Sequence, residues 1–488
     1  MLDPAGEPPN SVFPTIYVTD ELLIDRNFID EAAFAQLTTW AARAGWTLEI
    51  VRPAPTIEVA ASEQSGLTAS RPPVRSRGAS MTVRARLRLA HDGERVVADP
   101  DAWALVREVR RTDWGRRGIG LNHVLSTDSL GLNPFTANPF TANPFTANPF
   151  TANPFTANPI ASYAQPGFGG LQPVAYLGQE PIPGNPKVVP IVAIFDTGWG
   201  DHPWLKDCII QPFLAGGNPI GIDPDSDTDP ESEPSLAEPL EGIFDHAAGH
   251  GTFIAGIVRQ ECPDAMILPV RIADGEGLIL EDDLLGALGR LVEFMDDTTL
   301  EQKRKGSKVS VLNLSFSYYH ETPDDPDTVS EMASLLDKIR DRGCVVVCSA
   351  GNDATDRPTF PAAIPALDPN RHVSVGALNP SDRSVALFSN IGDWVEVYAP
   401  GVSVLSTLPV TFEGGLQSGT RDDEEGRRRE TLDPDDYQGG FGVWSGTSFA
   451  APVVAGRIAA QIASGEAPET AKDVVAKRLT AQDQSRMR

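Results

Sequence analysis

Hydrophobic positions change their period twice along the chain. Over residues 14–53 a short strand pattern, PTIYVTD, precedes apolar residues at helical spacing (Phe28, Ala32, Phe34, Leu37, Trp40 and Ala41) and a second strand pattern, WTLEIVRP, with Asp30 placed as a helix cap. After a Pro/Ser/Arg loop, MTVRARLRLA alternates apolar and basic residues as a half-buried strand does, and ADPDAWALVREVRR predicts a helix from Pro100. Residues 1–125 therefore read as a small α+β N-terminal domain. From Val188 the strand VVPIVAIFD, the helix HGTFIAGIVRQ, the strand AMILPVRIA and the helix EDDLLGALGRLVEFM follow one another, and KVSVLNLSF, DTVSEMASLLDKIRDRG and CVVVCSA continue the alternation. Short apolar strands alternating with helices predict an α/β fold with a doubly wound, mostly parallel sheet. That domain is expected over residues 186–470, with 471–488 as a C-terminal tail.

Residues 126–185 read as a linker. Asn-Pro-Phe-Thr-Ala begins at Asn133, Asn138, Asn143, Asn148 and Asn153, and Asn158-Pro159 opens a sixth copy, so the repeat occupies residues 133–160. Proline at every fifth position forbids a regular helix and removes strand donors. An extended spacer is the plain reading, and a repeated recognition or cleavage sequence the sharper one. Two hydrophilic tracts are expected to be surface insertions: residues 223–241, with eight acids and no base, and residues 418–436, dense in charge of both signs.

The net charge of −27 argues against nucleic acid or an anionic membrane as the main partner. It is unevenly placed: residues 1–125 carry −1 and the rest −26, while Arg71–Arg117 is a segment of +6. No apolar run approaches the roughly 18 residues of a membrane span. Cys208, Cys262, Cys344 and Cys348 form no Cys-x-x-Cys pair, so neither a disulfide framework nor a zinc site is expected, and Cys344 and Cys348 read as core residues. The opening MLDPAGEPPNSVF has Asp3 and Glu7 where a signal peptide carries positive charge, so a cytoplasmic location is expected.

Three motifs fall at the ends of elements, where open α/β sheets gather their functional groups. Asp196-Thr197-Gly198 ends a buried strand, Gly249-His250-Gly251-Thr252 opens a helix, and Gly446-Thr447-Ser448-Phe449-Ala450-Ala451-Pro452 starts another helix. Each alone has a plainer reading as turn chemistry, a surface histidine or a serine cap. Together they supply the carboxylate, imidazole and hydroxyl that acyl transfer by serine needs. Ser349-Ala350-Gly351-Asn352, after a buried strand, adds a neutral amide suited to an oxyanion.

The order Asp, His, Ser within DTG, GHGT and GTSFAAP resembles the subtilisin-like serine proteases over roughly residues 186–465. Asn313-Leu314-Ser315-Phe316-Ser317, Phe360-Pro361-Ala362-Ala363, Val373-Ser374-Val375-Gly376-Ala377 and Ala399-Pro400-Gly401-Val402 share in it. The resemblance implies a bacterial serine endopeptidase acting on peptides or proteins, with Asp196, His250 and Ser448 as triad and Asn352 as oxyanion amide. It further implies that Ser315, Phe316 and Ser317 pair with substrate backbone and that Ala350 and Gly351 line the pocket for the residue before the cut. Phe316-Ser317 departs from the family's Ser-Leu-Gly and leaves the shape of that pocket open; with no charged residue in Ser315–Ser317 or Ser349–Asn352, it is expected to take an uncharged, apolar residue. Relatives often bind calcium elsewhere, but an EF-hand loop starting at Asp223 would need Gly at 228 and Glu at 234, where Thr228 and Pro234 stand. A solvated loop is expected there, and no metal or cofactor is assigned. The N-terminal domain matches an inhibitory prodomain in size and position, or else is a binding or regulatory module. Self-processing within the Asn-Pro-Phe-Thr-Ala tract is expected, with the basic segment docked on the acidic body. The alternative is a catalytically silent scaffold that presents the repeat to a partner.

Overall fold

The computed structural model describes residues 12–25, 31–51, 82–90, 97–111, 118–128, 160–214, 216–223, 226, 228–236, 242–297, 308–323, 330–364, 372–414, 421–433 and 435–486. The Asn-Pro-Phe-Thr-Ala copies from Asn133 to Pro159, Phe28, Asp30 and the Pro/Ser/Arg loop lie outside the described residues.

Strand β1 (Tyr17–Asp25) leads through helix α1 (Glu31–Arg43) to β2 (Trp46–Ile50), then to β3 (Thr82–Leu89), helix α2 (Ala102–Arg110) and β4 (Ile119–Thr127). These strands pair antiparallel in the order β4-β1-β3-β2. Helix α2 begins at Ala102 rather than Pro100 because the Asp101 carboxylate accepts from the Trp103 N–H at 3.0 Å and caps the first turn. Leu22 and Ile24 of β1, Leu87 and Leu121 join Leu37 of α1 and Trp103 of α2 in one core. Leu23, the alternate residue of β1, points the other way into the core of the larger unit, where Leu125 of β4 also lies. The sequence pattern predicts no element at β4, yet this strand carries the chain onto the larger unit.

That unit begins with packed chain rather than free linker. Residues 160–164 form a short helical turn, Tyr163 and Leu171 pack on the core, and β5 (Gln172–Pro173) pairs with a later strand. The central sheet contains β6 (Ile191–Asp196), β7 (Met266–Arg271), β9 (Val309–Leu314), β11 (Val345–Ser349), β12 (His372–Leu378) and β13 (Val397–Pro400), all parallel in the order β13-β12-β11-β9-β6-β7. The short strands β8 (Leu278–Leu280) and β10 (Phe316–Ser317) lie outside it and pair with β4. Helices α3 (His250–Glu261) and α6 (Thr447–Ala463) cover one face, and α4 (Glu281–Asp296) and α5 (Ser330–Asp341) the other. Covering both faces is why β6 is apolar up to its last residue, Asp196: Val192 and Ile194 meet Ile254 and Ala455, whereas Ile191, Ala193 and Phe195 meet Leu288 and Leu336.

Several boundaries differ from expectation. Residues 126–128, expected as linker, belong to β4 and its continuation. Residues 471–486, expected as tail, lie in helix α7 (Pro468–Arg486), which buries Ala471, Val475 and Leu479 against the core. Val404–Thr407 (β14) pairs with Phe441–Trp444 (β17) and frames the charged tract between them. That tract includes an exposed hairpin of β15 (Arg421–Glu424) and β16 (Arg427–Glu430), turned by Glu425 at φ 52° and Gly426 at φ 73°, the two left-handed residues a type I′ turn requires. All four cysteines are buried, and none forms a disulfide among the described residues. No helix among the described residues is long and apolar enough to cross a membrane.

Candidate active site

Strand β6 brings Asp196 to the carboxyl edge of the sheet, fully buried. Its Oδ1 accepts from the Thr197 N–H at 2.8 Å, from Thr197 Oγ1 at 3.1 Å and from His250 Nδ1 at 2.7 Å. A proton on Nδ1 leaves the lone pair on Nε2. Gly249, at φ 77°, turns the chain into α3, and His250 is the first residue of that helix. The imidazole packs against Trp444 and Phe449, with ring centres 5.6 and 5.1 Å away. Its Nε2 is buried and has no hydrogen-bond partner among the described residues. Ser448, beside Phe449 in the first turn of α6, donates from Oγ to the Ser315 carbonyl at 3.1 Å.

Two donors converge on one carbonyl oxygen. Asn352 Nδ2 donates to the Asp128 carbonyl at 2.6 Å and the Ser448 N–H donates to it at 3.2 Å. Thr447 orients the amide, because its N–H and Oγ1 donate to Asn352 Oδ1 at 3.0 and 2.9 Å. Asp128 follows β4 directly, and the end of β4 lies between β8 and β10, with Ser126 opposite Leu278 on one edge and Ser317 on the other. The Thr127 N–H donates to the Gly277 carbonyl at 2.9 Å and the Asp128 N–H to the Ser315 carbonyl at 3.1 Å. An extended segment is thus held on both edges, as a peptide adding a strand would be.

The Asp128 side chain enters a pocket with a polar floor. Ser317 Oγ donates to Oδ1 at 2.7 Å and Ser349 Oγ to Oδ2. Burial pushes this carboxyl up to about 7; the Ser349 and Ser317 hydroxyls and His250 oppose the shift, and Asp353 adds to it. The expected uncharged, apolar occupant is therefore not what fills the pocket. The lack of charge in Ser315–Ser317 and Ser349–Asn352 was legible, but the convergence of two hydroxyls on one point arises only when β10 and β11 come together. Of the other residues named from sequence, Phe316 pairs its backbone with Thr127 while its ring is buried, and the Ala350 carbonyl is taken by Asn390 Nδ2 and Thr359 Oγ1. Gly351 donates its N–H to Thr447 Oγ1 at 3.1 Å, and at φ 97° its missing Cβ would lie 3.3 Å from Ser317 Oγ.

Three residues were missed. Asp128 and Ser349 are in contact across the pocket, and Ser349 opens the Ser349-Ala350-Gly351-Asn352 segment. The third, Glu231, sits in the acidic tract expected to be a solvated surface insertion, yet it is 1 % exposed. It accepts from Thr197 Oγ1 at 2.5 Å, from the Gly251 and Thr252 N–H groups at 3.0 and 3.3 Å, and from Thr252 Oγ1. A carboxylate on the first amides of α3 suits the positive end of that helix and ties His250 to Thr197. Burial pushes Glu231 up to about 7, against the Thr197 and Thr252 hydrogen bonds. Eight acids spread over residues 223–241 gave no signal that Glu231 folds inward. The described part of the tract wraps a guanidinium: Arg271 donates to Ser226 Oγ at 2.7 Å, Thr228 Oγ1 at 2.9 Å and the Asp223 carbonyl at 3.4 Å.

A second buried cluster joins β4 to the larger unit. His123 Nδ1 lies 2.6 Å from Glu281 Oε2, and its Nε2 lies 2.8 Å from Glu321 Oε2. Arg110 Nη2 donates to Glu321 Oε1 at 2.6 Å, and Arg84 Nε lies 3.6 Å from Asp282 Oδ2. Two arginines of the basic segment therefore face carboxylates of the body. His123, His320 and Glu321 place ligand atoms within 4.8 Å of one another, as a metal site would. Both nitrogens of His123 are already matched to carboxylates, however, so the cluster is complete as an ion-pair network. Burial opposes the charge on His123, but Glu281 and Glu321 together outweigh it and hold its pKa at about 10.

A parallel sheet thus brings a carboxylate, an imidazole and a serine to its carboxyl edge, beside two donors that converge on one carbonyl oxygen. The chain belongs to the subtilase family, whose model matches residues 189–485. It is 28 % identical over 283 residues to an intracellular serine protease of Paenibacillus polymyxa, covering 55 % of this chain and 65 % of that one. To the major intracellular serine protease of Bacillus subtilis strain 168 it is 27 % identical over 241 residues, covering 46 % of this chain and 62 % of that one. It is also similar to fervidolysin of Fervidobacterium pennivorans, at 28 % identity over 284 residues, 55 % of this chain and 34 % of that protein. The crystal structure of fervidolysin aligns at 20 % identity with a TM-score of 0.47, covering 95 % of this chain and 57 % of the solved one. The chain thus spans less than two thirds of the length of these curated relatives.

Proposed function

We propose that this chain is a serine endopeptidase with Asp196, His250 and Ser448 as its triad, and that it cuts its own backbone after Asp128. The observation that carries the reading is the Asp128 carbonyl, whose oxygen accepts from both Asn352 Nδ2 and the Ser448 N–H. Its carbon is thereby presented to the Ser448 side chain. In the reaction Ser448 Oγ turns from the Ser315 carbonyl to the free His250 Nε2, gives up its proton there and attacks the Asp128 carbonyl carbon. The negative charge formed on the oxygen is held by the two donors already in place. His250 passes the proton to the departing amine nitrogen, leaving an ester between Ser448 Oγ and Asp128. Water, losing a proton to His250, then hydrolyses that ester and restores the serine. Asp196 keeps Nδ1–H aligned and balances the imidazolium, while Glu231 and Thr197 act as positioning residues.

After cleavage the N-terminal unit stays seated through the pairing of β4 with β8 and β10 and through the His123 cluster. It therefore acts as an intramolecular inhibitor until it leaves, and peptides or proteins then enter the same channel as extended strands. This reading puts the cut after Asp128 instead of in the Asn-Pro-Phe-Thr-Ala tract, which lies outside the described residues. Intracellular serine proteases among its relatives favour a cytoplasmic site of action. Intact-mass analysis of the purified protein beside Ser448→Ala tests the proposal, with a fluorophosphonate probe as a second readout. The native protein should yield a fragment ending at Asp128 and be labelled at Ser448, and the variant should stay whole. A native protein that remains whole and unlabelled refutes it.

A further inference from the structure

The channel holds a piece of the chain itself, and the way it holds that piece bears on which substrates it accepts. We infer that the pocket built by Ser317 and Ser349 selects aspartate as the residue before the cut, in protein substrates as in this chain's own sequence. This rests on the protease reading above and extends it from the reaction to the substrate class.

Each carboxylate oxygen of Asp128 has its own donor, Ser317 Oγ for Oδ1 and Ser349 Oγ for Oδ2. The hydroxyls come from different elements, the end of β10 and the end of β11, and Asp128 is 6 % exposed, so the pocket closes over the side chain. Its depth is set by the backbone anchors. The Asp128 N–H is fixed to Ser315 and its carbonyl to Asn352 and Ser448, so a side chain entering from that Cα reaches the serines after one methylene. Glutamate would bring its carboxylate one carbon too far. Alanine or phenylalanine would leave both hydroxyls facing an apolar group, and the alternative acceptor for Ser349 is the Leu314 carbonyl at 3.5 Å. A site built to hydrogen-bond a polar group discriminates strongly against an analogue that lacks it, because its own buried groups are then unpaired.

The charged groups felt at this carboxyl are Asp353 and His250, and burial pushes it up to about 7. Near neutrality it is therefore held in both protonation states, and two hydroxyls serve both, since each can donate or accept. A cationic side chain finds Asp353 in the wall of the same cavity, but that carboxylate is already engaged by the Tyr319 hydroxyl at 2.8 Å. Asparagine, the neutral isostere of protonated aspartate, is the substitute that should be tolerated best.

The test uses the full chain and, separately, the processed protein. Self-cleavage at the 128 bond is followed by intact mass in Asp128→Asn, Asp128→Glu, Asp128→Phe and Asp128→Lys. The processed protein is then given chromogenic peptides Val-Leu-Ser-Thr-Xaa, where Xaa is Asp, Asn, Glu, Ala, Phe or Lys. Asp should exceed Phe, Ala and Lys in kcat/KM by about a hundredfold and Glu by roughly tenfold, with Asn within about tenfold of Asp. Ser317→Ala and Ser349→Ala should each lower the Asp-to-Ala ratio by about tenfold, while the fluorophosphonate still labels Ser448, which shows an assembled site in both variants. Cleavage after Phe or Lys that equals or exceeds cleavage after Asp, with Ser448 labelled, overturns the pocket inference and leaves the protease standing. A protein that neither cleaves any peptide nor takes the label overturns both.

Discussion

Replacing His123 by alanine should loosen the N-terminal unit from the catalytic body without unfolding either. In the docked structure this ring bridges Glu281 and Glu321 at 2.6 and 2.8 Å, and all three side chains are nearly or wholly buried. Removing one member of a buried ion network leaves an uncompensated charge and costs about 3–5 kcal/mol. Arg110 keeps Glu321 paired at 2.6 Å, so the lower end applies, about 3 kcal/mol or roughly a hundredfold in the docking constant. The loss falls on docking because Glu281 and Glu321 regain water when β4 departs. The pH dependence follows from the same contact. His123 rises from 6.5 when free to about 10 when docked, so its stabilisation is complete below about 6.5 and is lost as pH rises through 10. Asp128 rises from 3.8 to about 7, so docking loses its contribution between those values and is unaffected by it above them. Both terms tighten docking in acid and weaken it in base. The assay is dissociation of the processed N-terminal fragment on dilution, followed by size-exclusion chromatography from pH 5 to pH 9. His123→Ala should raise the dissociation constant about a hundredfold at pH 6 and flatten the fall in affinity above it. A change under fivefold, or native fragment that dissociates more readily at pH 5 than at pH 9, would refute the reasoning.

Other consequences are more direct. Asn352→Ala removes one of the two donors on the Asp128 carbonyl and should reduce kcat by roughly two to three orders of magnitude with the thermal midpoint little changed; the check is single-turnover cleavage beside a melting curve. Glu231→Ala should lower kcat more than it alters KM, because Glu231 bonds Thr197 and the first amides of α3 and not the bound segment. Since burial raises Glu231 from 4.5 to about 7, the stability it supplies is complete below 4.5 and is lost as pH rises through 7, and Glu231→Gln should remove that slope from a pH series of melting temperatures.

Local pattern alone carried the larger unit a long way. The apolar run that leads to Asp196 in β6 shows a strand covered on both faces, and the motifs DTG, GHGT and GTSFAAP put Asp196, His250 and Ser448 at element ends, where their resemblance to the subtilisin-like proteases implies a triad. Those signals are local: a period, a turn, a helix start. What the sequence could not show is where separate segments meet. IGLNHVLST has no clean alternation, because β4 is buried between two units and puts Asn122 and His123 inside, so the strand that fills the channel went unpredicted. Glu231 looks like any of its seven acidic neighbours until the fold turns it onto the first amides of α3. Ser317 and Ser349 are unremarkable polar residues, 32 positions apart, until β10 and β11 aim their hydroxyls at one carboxylate. Periodicity and motif spacing report what each segment does with its own neighbours in sequence. The occupant of the channel, the polarity of its pocket and the brace behind His250 depend on contacts between distant segments, and only the tertiary structure decides those.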